Sequence, residues 1–80
     1  MLSMPTVLRE AGLRFHFFSG DGHEPPHIHI DGHGRKAKIW LRNLEVAKNG
    51  GFSEAEMSRI LRIVADHRET LLGAWNDFFA

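Results

Sequence analysis

The stretch PPHIHIDGHGRKAKIWL, Pro25 to Leu41, decides the fold. Its two prolines hold the chain extended, forbid helix, and deliver it into a strand at His27. Apolar and polar residues then alternate on both sides of Gly32-His33-Gly34-Arg35, which reads as a four-residue hairpin loop. If Asp31 pairs with Lys36, then Ile30 faces Ala37, His29 faces Lys38, Ile28 faces Ile39 and His27 faces Trp40. This register gathers the apolar pairs on one face and the polar pairs on the other, and a slip of one residue scrambles both. Ile28, Ile30, Ala37, Ile39 and Leu41 are therefore expected in the core, with His27, His29, Asp31, Lys36, Lys38 and Trp40 opposite.

Working outward, the aromatic run from Leu13 to Ser19 reads as a preceding strand, joined by the loop Gly20 to Pro26. The expectation is an α+β domain spanning residues 1–80, with a three-stranded antiparallel sheet near residues 13–19, 27–31 and 36–42. Residues 1–12 are expected as a partly flexible N-terminal segment. Asn43 to Asn49 reads as a short helix ended by Gly50-Gly51. Ser53 with Glu56 makes a capping box, and Phe52 against Met57 a hydrophobic staple. From Glu54, apolar residues recur at steps of three and four through Phe78, one stripe of a long amphipathic helix packed on the Ile28/Ile30/Ile39 face. Unbroken, it would be about 37 Å long, so a break near Gly73 or docking on a partner is expected. His67 and Arg68 interrupt the stripe and are expected to stay at its edge, to reach Asp31 or Glu24, or to cross a subunit interface.

Bulk composition narrows the function classes. Eighty residues form one small domain with a thin stability margin, which suits a homo-oligomer or a small protein partner. The absence of cysteine excludes disulfides and thiolate metal sites and favours a reducing, cytoplasmic setting. No export or membrane segment is legible. A formal net charge of zero argues against a strongly basic nucleic-acid-binding tail, although Arg35, Lys36, Lys38, Arg42 and Lys48 make the middle of the chain locally basic. No phosphate-binding glycine loop, HExxH helix or strained Ser or Cys nucleophile is present.

Of the six histidines, five (His16, His23, His27, His29 and His33) are clustered. His27 and His29, two apart in a strand, share a face and can hold one divalent metal ion, zinc or nickel. Further ligands could be His16, His23, Asp21, Asp31, His33 or water, and the spacing does not choose among them. The same two histidines with Lys38 could instead act as acid, base and oxyanion stabiliser in metal-independent RNA cleavage. Trp40 would then stack a base while Arg35, Lys36 and Arg42 hold phosphates. The bland alternative is a solvated polar sheet face.

MPTVLRE at Met4–Glu10, FxFFSGDGHEPPHIHI at Phe15–Ile30, KAKIWL at Lys36–Leu41 and AWNDFF at Ala74–Phe79 together resemble a small bacterial family catalogued as domain of unknown function 4160. The resemblance runs over nearly the whole chain from Met4. It implies a small prokaryotic protein, often encoded beside a second small protein in an arrangement similar to toxin-antitoxin pairs, and no established catalysis. Its motif residues here are Pro25, Pro26, His27, His29, Lys38 and Trp40, the patch already selected by the face argument. The leading expectation is a small binding module of such a two-component system whose His/Lys/Trp face meets a partner protein, RNA or a metal ion.

Overall fold

A computed structural model describes the backbone of residues 3–80 and the side chains of residues 6–80. Five strands, β1 (Ser3–Glu10), β2 (Leu13–Phe18), β3 (His27–Gly32), β4 (Arg35–Trp40) and β5 (Val46–Gly50), form an antiparallel meander in chain order. Two helices follow, α1 (Glu54–Asp66) and α2 (Arg68–Phe78). The class is α+β, with five strands rather than three.

The central hairpin adopts the register its faces require, from His27 opposite Trp40 to Asp31 opposite Lys36. One further pair, Gly32 with Arg35, shortens the loop to His33-Gly34, at φ 55° and 76°. Ala11 and Gly12, at 56° and 75°, repeat that device between β1 and β2. Two successive left-handed residues match the right-handed twist of the strands they join.

Both extra strands are at the edges. Within the expected flexible segment, β1 pairs with β2 from Ser3–Phe18 to Glu10–Leu13, with register shifts on the way; residues 1 and 2 lie outside the described residues. An irregular edge strand tolerates the missing N–H of Pro5, and MPTVLRE lacks the clean alternation that would reveal it. The short helix expected at Asn43–Asn49 does not form. Asn43 Oδ1 accepts the Glu45 amide at 3.0 Å, Leu44 turns left-handed at φ 60°, and Val46–Gly50 pairs with β4. An isolated helix of one or two turns is unstable, whereas the open edge of β4 offers ladder bonds.

The core lies under one face of the sheet: Leu13, Phe15, Phe17, Ile28, Ile30, Ala37, Ile39 and Leu41 meet Phe52, Met57, Ile60, Ile63, Val64, Leu71 and Trp75. The capping box forms, Ser53 Oγ accepting the Glu56 amide at 3.1 Å and Glu56 Oε1 accepting the Ser53 amide at 2.8 Å. The long helix breaks at His67 rather than near Gly73. There His67 Nε2 meets Glu10 Oε1 at 3.0 Å, and Arg68 donates to the carbonyls of Leu41 (2.7 Å) and Arg42 (2.9 Å). These partners replace the expected Asp31 and Glu24, and they turn α2 toward the sheet's end, where Trp75 reaches His27. No helix among the described residues is long and apolar enough to cross a membrane.

Candidate functional site

His27 and His29 leave β3 on the same side, as alternation requires. The 3-10 turn Ser19–His23 brings Asp21 to them, anchored by its Oδ2 accepting the Phe18 amide at 2.8 Å. A side chain at Gly22 would collide with Phe79, its Cβ falling 2.6 Å from the ring, so the C-terminal aromatic fixes this turn at close approach. Asp21 Oδ2 lies 3.2 Å from His27 Nε2 and 3.1 Å from His29 Nε2, and one donor atom from each of the three lies within 4.8 Å of the others.

His27 is fully enclosed, its ring centroid 5.0 Å from Trp75, 5.5 Å from Trp40 and 5.0 Å from His29. Its Nδ1 donates to the Pro25 carbonyl at 2.9 Å, which in the neutral ring leaves Nε2 with a lone pair. Nε2 has no hydrogen-bond partner: its approach to Asp21 is close but misaligned. Glu24 Oε1 lies 3.6 Å from the same Nδ1 and accepts Lys38 Nζ at 2.6 Å, while Lys38 Nζ sits 4.6 Å over the Trp40 ring. A carbonyl and a carboxylate behind the far ring nitrogen are the supports that orient metal-binding histidines.

Burial is the largest influence on His29 and pushes its pKa down, Asp21 opposing. At Asp21 burial pulls upward, but the Phe18 amide and the charges of His27 and His29 outweigh it and hold the carboxyl below its ordinary value. The site therefore holds an ionised carboxylate and, at His29, an imidazole biased toward its neutral form, the states a cation needs. His16, 1% exposed, stacks 5.7 Å from His29, and burial pushes it down as well. Its Nε2 lies 3.2 Å from Asp31.

Apart from the buried His27, the residues singled out from sequence fall into two depressions. Pro25, Pro26, Trp40 and Arg42 line one at the strand ends. His29, Arg35, Lys36 and Lys38 line a larger one with Lys48. His23 and His33 are exposed and outside the three-residue cluster. Asp21 stood among several candidate ligands, distinguished by nothing in its spacing, and Glu24 and Lys48 were not assigned to this face at all. For Glu24 a signal existed: a carboxylate three residues before His27, across a rigid Pro-Pro pair.

The family model described as Domain of unknown function (DUF4160) matches residues 12–76. The chain belongs to this family. The match to the DUF4160 domain opens at the β1–β2 turn and takes in the turn carrying Asp21, the whole His/Lys/Trp face and most of the helix that covers His27, through Trp75. No curated protein and no solved structure gives a match.

Proposed function

We propose that this protein binds a divalent transition-metal ion, zinc or nickel, through Asp21, His27 and His29. The observation that supports the reading is the placing of the two His27 ring nitrogens. With the ring neutral, Nδ1 donates its hydrogen to the Pro25 carbonyl, and the bare Nε2 of this fully buried ring faces the Asp21 carboxylate at 3.2 Å. Two acceptors so placed repel unless a cation lies between them. Adjacent ligands of a tetrahedral zinc ion are roughly 3.3 Å apart, and their lone pairs converge on the ion rather than on each other, the misaligned approach found between His27 and Asp21; His29 Nε2 instead hydrogen-bonds Asp21 Oδ2 at 3.1 Å, a bond the ion would replace. Three protein ligands leave a fourth position for water or a substrate group.

The competing cation is a proton, which would make His27 an imidazolium paired with Asp21. Cleavage of RNA by a His27/His29 pair needs both imidazoles at the substrate, and His27 is enclosed, so geometry favours metal binding over that alternative. Calorimetric titration and elemental analysis of the untagged protein test the proposal. One equivalent should bind the wild type, and Asp21→Asn and His29→Ala should each weaken affinity about a hundred-fold or more. No stoichiometric metal, or unchanged affinity in both variants, returns the face to the reading as a module for a small protein partner.

A further inference from the structure

On the open face of the sheet, β3, β4 and β5 frame a groove of about 420 Å³, within the range of small-molecule sites. Register places His29 opposite Lys38 and Lys38 opposite Lys48, a row of three nitrogen-bearing side chains across three strands. Lys36 stands beside the row, opposite Gly50, where the Lys36 carbonyl, 2.7 Å from a would-be Cβ, leaves no room for a side chain. Like charges directly opposite in a sheet are unfavourable, yet Lys38 and Lys48 face each other. Lys38 is neutralised by Glu24 at 2.6 Å. Lys48 has no ion-pair partner among the described residues, and Lys36, its side chain 80% exposed, has only Asp31 at 3.6 Å.

We propose that this groove binds the phosphate group of a phosphorylated ligand, held by Lys36 and Lys48 with Lys38 behind them. Several ammonium groups around one open volume suit a compact dianion better than a planar monoanionic carboxylate. His29 belongs both to the groove and to the Asp21/His27/His29 cluster, so a phosphate oxygen there lies beside the proposed metal and can occupy its open position. That role for the metal rests on the function proposed above; the lysine row does not. Without the ion, Asp21 and Glu24 oppose an incoming anion, and the dication reverses that local balance.

The test is titration of phenyl phosphate, with benzoate as the carboxylate control, into metal-free and metal-loaded protein at low salt, following backbone amides of β4 and β5 by NMR. Phenyl phosphate should bind one to one and more tightly than benzoate, more tightly still with metal. Lys36→Gln/Lys48→Gln should weaken it roughly ten-fold while metal stoichiometry stays unchanged. A protein that takes up metal but binds phenyl phosphate no better than benzoate, or equally well in the lysine variant, overturns the groove and leaves the metal reading standing. Lysine-dependent phosphate binding without metal uptake does the reverse. Single-stranded RNA oligonucleotides locate the phosphate: affinity rising with length points to a nucleic-acid backbone, affinity no better than phenyl phosphate to a small ligand. Either supports phosphate as the group recognised.

Discussion

An imidazole removed from water keeps its neutral form more easily than its charged one, and His16 and His29 both feel this. Burial lowers each, helped at His16 by Arg14 and opposed at His29 by Asp21. In the unfolded chain both titrate near 6.5. Between that value and the lowered native ones the unfolded chain holds more protons, so stability is complete above about pH 6.5 and is lost as pH falls through it. Asp21, held below 3.8, adds a loss of the same sign in stronger acid. With chelator present, the urea midpoint should be level above about pH 7 and fall as the pH drops below about 6.5; a midpoint that holds or rises there contradicts this assignment. The β1–β2 turn gives a prediction independent of charge. Ala11 sits at φ 56°, where a Cβ costs about 1 kcal/mol or more. Ala11→Gly recovers part of this against greater chain entropy, so thermal unfolding should move up by a few degrees, a gain of about 0.5 kcal/mol.

At the scale of elements, α2 is set at its angle by Arg68, whose guanidinium spans the carbonyls of Leu41 and Arg42. Arg68→Leu keeps the stem but leaves those carbonyls without their donor, a loss of about 2 kcal/mol in denaturant titration. An unchanged midpoint would mean that core packing alone orients α2. The central hairpin was legible because burial assigns a face to each of its residues and only one register satisfies them all. The N-terminus of α1 was legible because its cap is local chemistry. β5 was not: all five of its residues are exposed, so what holds it is the backbone ladder, which leaves no apolar alternation. Reading Asn43–Asn49 as helix also hid Lys48 and with it the groove. The break at His67 was hidden because contacts distant in sequence decide it. In the site, His27 and His29 were legible from their i, i+2 spacing. Asp21 was only one of several candidates, because Phe18, Gly22 and Phe79 place its turn and no periodicity reports them.

At the scale of the molecule, the proposed ligands add a tie between parts already packed together: the 3-10 turn through Asp21, the sheet through His27 and His29, and α2 through Trp75 on His27 and Phe79 on the turn. An 80-residue chain has a small stability margin, so a ligand held between the turn and β3, with α2 packed against one of its histidines, should count for much of it. Metal binding the native state alone adds about 2.7 kcal/mol at a hundred times its dissociation constant, roughly 10 to 20 °C in melting temperature for a domain this size. Both tryptophan rings lie within 5.5 Å of His27, so intrinsic fluorescence can follow the melt and report occupancy at the same ring. Zinc should raise the wild-type midpoint in this way, move Asp21→Asn by only a few degrees, and slow amide exchange in α2 as well as in β3. Protection confined to β3 would mean that Trp75 packs on His27 without energetic coupling, and α2 would then be a cover whose stability is independent of the site.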